Sequence, residues 1–312
     1  TVLASLVVTM AALFLPLLSY SYPMMLVSFC FLGIGNTLMQ VSLNPLINCI
    51  VKGDKLASTL TFGQFVKAIA SFITPILASW CAVKFGNWML IYPVFGAFSI
   101  LAVCYLWSSK IEEGAPANGG SNLLDCIKML GDPTVLVLFL GIVSHVGIDV
   151  GVNTCAPKII IERLGLPLSE AAIATSVYFL FRTLGCLSGS YILSKVQTRK
   201  FFAFSVALMV LSMIGLFLMH SLAGLYIAIA LVGFGNSNIF SMVFSKALLS
   251  RPDKENEMSG LMIMGLIGGT VFPILMGVAS DALETQLGSV IVISAGVIYL
   301  AVLAVKFLKS AE

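Results

Sequence analysis

The chain has 312 residues, 59% of them hydrophobic and only 10% charged, with a formal net charge of +3 and a mean hydropathy of +1.05. A soluble domain carries about 25% charged residues, so this composition excludes an ordinary water-soluble fold and defines a polytopic membrane protein. Nucleic acid is excluded as a partner on the same grounds, since Lys and Arg form no basic stripe outside short loops.

A helical span needs about 20 apolar residues to cross the hydrocarbon core. Ten windows come close to that length or exceed it: 2–19, 23–50, 57–83, 88–107, 134–157, 170–193, 201–219, 222–248, 258–279 and 288–306. Each is predicted to be a helix, because a segment in lipid has to satisfy its own backbone hydrogen bonds. The short alternating segments of a membrane β-barrel are missing. The expected fold class is all-α. Between the fourth and fifth windows lies SSKIEEGAPANGGSN, Ser108 to Asn122, polar and rich in Gly, Pro and Ser, which reads as a flexible linker. LLDCIKML, residues 123–130, follows as an amphipathic stub for the membrane surface.

The windows repeat. Gly33-Ile-Gly-Asn36 returns as Gly233-Phe-Gly-Asn236, Lys52-Gly-Asp54-Lys55 as Arg251-Pro-Asp253-Lys254, and Pro75-Ile-Leu77 as Pro273-Ile-Leu275, at offsets of 200, 199 and 198. A repeat of this length built from spans points to a transporter of two related halves. With that offset, 201–219 pairs with 2–19 and 222–279 pairs with 23–83, whereas 134–157 and 170–193 have no counterpart. The expectation is ten of twelve transmembrane helices, with two helices, about 65 residues, lying upstream of residue 1; a true ten-helix protein is the alternative. The expected domains are an N-terminally incomplete bundle over 1–107 (helices 3–6), a cytoplasmic linker over 108–133 and a six-helix bundle over 134–312 (helices 7–12).

Charge placement sets the orientation. With the first window running outward, the inner segments and adjoining span ends hold twelve Lys and Arg, from Lys52 to Lys309, and the outer turns hold only Lys84, Lys158 and Arg163. This satisfies the positive-inside rule and places the C-terminus in the cytoplasm. The seven cysteines are odd in number, sit mostly in apolar runs and show no CxxC spacing, so they read as small core residues rather than metal or redox groups.

Ionisable groups inside a membrane are costly and call for a role. Of fourteen acidic residues only Asp149 falls in mid-span. His145, Asp149 and Asn153 share one helix face at i, i+4, i+8, where a carboxylate and an imidazole can accept a coupling proton or bind hydroxyls; a buried tie between helices is the plainer reading. The spacing is one residue short of the HxxxxD acyltransferase motif. Lys67 lies a third of the way into its span with Gln64 close to its face, and either snorkels inward or serves a cavity. Gln40 and Asn44, one turn apart before Pro45, suit hydroxyl-rich ligands as paired donors and acceptors, and suit helix packing equally. Asn236, Asn238 and Ser241 occupy the corresponding helix of the repeat. Arg182 is too deep for easy snorkelling and needs a partner, for which Asp149 on the neighbouring helix is the candidate. No nucleophile–base pair, phosphate loop or metal cluster is visible, so an enzyme is not expected.

The repeat and linker resemble the major facilitator superfamily. Within it, Gly35-Asn-Thr-Leu-Met-Gln-Val-Ser-Leu-Asn-Pro45, the Gln64–Lys67 region, Ile267-Gly-Gly-Thr-Val-Phe-Pro273 with Met276-Gly-Val-Ala-Ser-Asp281, and Gly189-Ser-Tyr-Ile-Leu-Ser-Lys195 are similar to the fucose–proton symporter branch of sugar permeases. The resemblance implies a monomeric permease that carries fucose, glucose or galactose by cation-coupled symport and alternating access. It needs no cofactor beyond the coupling ion, H+ or Na+. Two positions depart from the branch: Gln40 stands where relatives carry a helix-four acid, and Lys67 where they carry an Asn on helix five. Substrate contacts are expected from Gln40, Asn44, Gln64, Lys67, His145, Asn153 and Asn238, and coupling or gating from Asp149, His145, Lys67 and Arg182. A carrier of an anionic sugar or other small organic solute, and a transport-inactive sugar sensor, are the alternatives.

Overall fold

The computed structural model describes residues 2–51, 55–108 and 123–309. The expected turn at 52–54 and linker residues 109–122 lie outside the described residues. All ten windows are helical, as α1 (Val2–Leu18), α2 (Tyr22–Ile50), α3 (Lys55–Phe85), α4 (Ile91–Ser108), the surface stub α5 (Leu123–Lys128), α6 (Pro133–Leu164), the single turn α7 (Leu168–Ala171), α8 (Ile173–Leu193), α9 (Thr198–Leu218), α10 (Leu222–Asn236), α11 (Ile239–Ser250), α12 (Glu255–Met264), α13 (Gly268–Leu283) and α14 (Leu287–Lys309). Among the described residues there is no strand. Among the described residues seven helical runs are long and apolar enough to cross a membrane, and α1 is an apolar helix of 17 residues.

The chain forms two units, Thr1–Ile50 with Ala70–Asn122, and Val51–Ile69 with Leu123–Glu312. In the first, α1 packs along α2 and α4. The backbones meet at Gly35, where a Cβ would stand 3.2 Å from the Ser5 carbonyl oxygen and closer still to Thr9 Oγ1. One turn and more away, Ser28 Oγ donates to the Ala12 carbonyl at 2.8 Å, buried from solvent. In the second unit α9 packs in the same manner along α10 and α14. A Cβ on Gly235 would lie 2.7 Å from the Ser205 carbonyl oxygen, and Ser212 Oγ donates to the Ala228 carbonyl at 2.6 Å. Positions 12 and 28 become 212 and 228 at the offset of 200, with serine and alanine exchanged. The same tie is thus made from opposite helices, and the sequence repeat is a repeat of packing.

α6 is the central strut of the second unit, and its ends explain its length of 32 residues. Asp132 caps the first turn by accepting from Thr134 N at 2.8 Å, Pro133 occupies the first helical position, and Gly165 ends the helix at φ 64°. Arg251 also pairs with Asp132; that guanidinium, and then the Thr134 amide, hold the carboxyl below the usual carboxylate range. At the other end Glu162 accepts from Gln286 N at 2.7 Å, and Arg163 Nη1 donates to the Met219 carbonyl at 2.7 Å.

Four windows are not single α-helices: 88–107 opens with a 3-10 turn, Trp88–Leu90, and 258–279 is divided into α12 and α13 by a 3-10 turn, Gly265–Ile267. The 170–193 window opens with the separate turn α7. The 222–248 window breaks between Asn236 and Ile239, because two side chains in the break bond to backbone. Ser237 Oγ donates to the Phe234 carbonyl at 2.6 Å, and Asn238 Nδ2 donates to the Gly185 carbonyl of α8 at 3.0 Å. Gly185 and Gly189, one helical turn apart on α8, leave room for Ser237 and Asn238 respectively.

Candidate functional site

The residues that carry charge into the apolar interior meet on α6, α8 and α10. Arg182 Nη1 lies 3.0 Å from Asp149 Oδ2, with the two side chains 23% and 19% exposed. That exposure is low enough for the pair to resist screening, and its solvation cost is offset by further bonds. One of these comes from Tyr178, fully buried one turn before Arg182, whose hydroxyl donates to Asp149 Oδ1.

His145 lies one turn before Asp149 on α6 and is 3% exposed. Asn236, fully buried at the end of α10, donates from Nδ2 to the His145 carbonyl at 3.2 Å. A carbonyl only accepts, so this bond fixes the amide's orientation and places its Oδ1 against His145 Nδ1 at 2.8 Å. The hydrogen is therefore on Nδ1, and Nε2 is the free acceptor when the ring is neutral.

α3 brings in a second cation. Ser58 Oγ donates to the Ser190 carbonyl at 2.6 Å, and Ser190 Oγ donates back to the Ser58 carbonyl at 3.2 Å, which docks the first turns of α3 on α8. From there Lys67, exposed, feels the charges of both Asp149 and Arg182. Gln64 is half-buried on the preceding turn, and Asn153 is half-buried one turn beyond Asp149. Asn238 is fully buried and turned toward α8, bonded to Gly185 and to Ser237 Oγ at 2.7 Å. In the first unit Gln40 is half-buried on α2, and Asn44 is 7% exposed with its Nδ2 lacking a hydrogen-bond partner. An open cleft of about 490 Å³ between α1 and α2 is lined by Leu6, Thr9, Leu32, Gly33, Asn36 and Met39, none of them an expected site residue.

The structure therefore gathers Lys67, His145, Asp149 and Arg182 and adds Tyr178 and Asn236 to them. Tyr178 is the residue that sequence reasoning missed. The available signal was its position: four residues before Arg182, hence on the same helix face. Chemically, the group can hold a cation or proton at the carboxylate and can offer donors and acceptors to a polar solute.

Membrane helices that repeat in two related sets, with a charged hydrogen-bonded group buried among them, define a secondary carrier. The chain belongs to the Major Facilitator Superfamily, whose profile matches residues 1–273. It is a multi-pass membrane carrier and not an enzyme. The chain is 26% identical over 303 residues to a protein of Brucella abortus biovar 1 described as a glucose/galactose transporter, covering 88% of this chain and 70% of the relative. In fold it is similar to a Major Facilitator Superfamily transporter, FucP, crystallised in the outward conformation, with a TM-score of 0.85 and 14% identity over 98% of this chain and 82% of the other. A variant of the E. coli fucose:proton symporter, FucP, matches with a TM-score of 0.79 and 15% identity over 98% and 83%.

Proposed function

We propose that the chain carries hexose-class sugars, such as glucose, galactose or fucose, across the cytoplasmic membrane by cation-coupled symport and alternating access, as a member of the fucose-symporter branch. The observation that carries this reading is the Asp149–Arg182 pair with the Tyr178 hydroxyl on the same carboxylate, and the His145–Asn236 pair one turn away on α6, in an otherwise apolar helical unit. Buried charge of this kind marks an ion or substrate path. The 26% identity to a glucose/galactose transporter supports the substrate class. The unpartnered Asn44 amide supports a hydroxyl-bearing ligand.

In this reading the ten windows are ten spans of a twelve-span carrier, and bundles 1–107 and 134–312 alternate across the 108–133 linker with the C-terminus inside. Asp149 takes the coupling ion, H+ or Na+, and Arg182 and Lys67 tune its charge. Gln40, Asn44, Gln64, His145, Asn153 and Asn238 supply sugar contacts. The carrier acts as a monomer with no other cofactor. A second reading, transport of an anionic sugar, draws on two cations, Arg182 paired with Asp149 and Lys67 within reach of the charges of both.

Uptake of labelled fucose, glucose, galactose and galacturonate by cells making the full-length protein separates these readings. The first predicts neutral-sugar uptake that collapses when one ion gradient is removed and in Asp149→Asn. Uptake of galacturonate alone establishes the second reading, and binding of sugar without uptake makes the chain a sensor.

A further inference from the structure

The motif that recurs as Gly33-Ile-Gly-Asn36 and Gly233-Phe-Gly-Asn236 docks three helices on α10 in its second copy. Gly235 faces α9, where its Cβ would lie 2.7 Å from the Ser205 carbonyl oxygen. Gly233 faces α8, where its Cβ would lie 2.7 Å from the Tyr178 carbonyl oxygen. Asn236 faces α6, bonded to the His145 ring at 2.8 Å and to the His145 carbonyl at 3.2 Å. In the first copy, among the described residues, one of these three seats is taken. A Cβ on Gly35 would lie 3.2 Å from the carbonyl oxygen of Ser5 on α1, the counterpart of Ser205 on α9. A Cβ on Gly33 would meet no described atom within 4 Å, and Asn36 is exposed. Both line the cleft of about 490 Å³ between α1 and α2, together with Thr9, Leu32 and Met39. The counterparts of those three at the offset of 200, Met209, Val232 and Ile239, are fully buried in the second unit.

The cleft has the volume of a small-molecule pocket, but its counterpart is filled by protein, with α8 at the glycine and α6 at the asparagine. These two helices are the spans that have no partner in the first half. The repeat offset places their counterparts in about 65 residues ahead of residue 1. Since α8 ends at Leu193 and α9 begins at Thr198, the counterpart of α8 leads into α1 through an equally short turn.

We propose that the cleft between α1 and α2 is the seat of the two helices that precede α1 in the full-length protein. Gly33 receives the backbone of the counterpart of α8, and Asn36 hydrogen-bonds the counterpart of α6. The inference rests on the twelve-span reading and adds to it the residues that hold those spans. Lipid gives helices no hydrophobic reason to associate, so close approach at a small residue and a buried amide bond are what joins them.

Melting of the full-length protein in detergent gives opposite signs for a seat and for an open face. On an open face Gly33→Leu gains helix propensity and leaves the melting temperature unchanged or raised. With a backbone seated there the added side chain overpacks, and the melting temperature falls by about 5 °C or more, as it does for Gly233→Leu. The fall is the expected result. Its absence overturns the proposal: loss of sugar binding then makes the cleft a solute pocket, and unchanged binding leaves it facing lipid. Photo-crosslinking covers the case in which Gly33→Leu does not fold. With Leu6, on the α1 wall of the cleft, replaced by p-benzoylphenylalanine, the expected crosslinked peptide comes from the segment ahead of residue 1. A crosslink to a second copy of the chain, or none to that segment, overturns the proposal. A full-length protein with no span ahead of residue 1 overturns the twelve-span reading and the seat with it. Two such spans without the crosslink and the thermal shift overturn the seat alone.

Discussion

Gly189→Ala is the smallest change with a large expected consequence. A Cβ at this position would lie 2.5 Å from Asn238 Nδ2 and closer still to its Oδ1 and Cγ. The Asn238 side chain is fully buried and cannot swing into solvent. Making room displaces the amide from the Gly185 carbonyl at 3.0 Å and from Ser237 Oγ at 2.7 Å. Two lost hydrogen bonds cost about 1 kcal/mol each, and overpacking adds about 1–3 kcal/mol, for a total of about 3–5 kcal/mol. At about 2–4 °C per kcal/mol for chains of this order, the apparent melting temperature in detergent drops by about 6–20 °C. Asn238→Ala removes the obstructing amide, so Gly189→Ala in that background costs less than about 1 kcal/mol further. A Gly189→Ala melting temperature within about 2 °C of wild type, measured by thermal-shift chromatography, refutes the account of how α8 receives the helix break.

Arg182→Ala leaves a carboxylate that is 19% exposed without its ion-pair partner. The expected loss is about 3 kcal/mol, the lower end for breaking a buried pair because the pair retains some solvent. Adding Asp149→Asn recovers about half of it, and thermal melting of the two variants checks both. Asp132 gives a pH prediction at the membrane edge. Its folded pKa is depressed below the ordinary 3.8 by Arg251 and the Thr134 amide, so its contribution is fully present above about pH 4. That contribution is lost as the pH falls through the folded value. Asp132→Asn therefore lowers the melting temperature at neutral pH and narrows its difference from wild type below about pH 4. A constant difference across that range contradicts the assignment.

Hydropathy and spacing made the helices legible, because a span in lipid has to be long, apolar and self-satisfied in hydrogen bonds. The repeat was legible for the same reason: the Gly35 and Gly235 contacts and the Ser28–Ala12 and Ser212–Ala228 ties keep one register of packing. The break at Ser237–Asn238 was not legible, since FGNSNIF reads as part of a continuous apolar helix. What breaks it is a bond to Gly185, fifty-three positions away in the chain. Asp149, His145 and Arg182 stood out because a charge in a span has few uses. Tyr178 did not, because a tyrosine in an apolar helix reads as a packed ring until the carboxylate beside its hydroxyl is known. Asn238, expected among the substrate contacts, is a fully buried residue bonded to α8. Asn236, two residues earlier, is bonded to His145.

Sugar counterflow tests the central claim most directly, because it demands a carrier and no ion gradient. Full-length protein in liposomes preloaded with unlabelled galactose, glucose or fucose is diluted into trace labelled sugar of the same kind. Transient accumulation of label above protein-free liposomes, for at least one of the three, is the predicted result. It falls in Arg182→Ala. A trace indistinguishable from protein-free liposomes for every one of them, with folded protein present, contradicts the account of a hexose carrier.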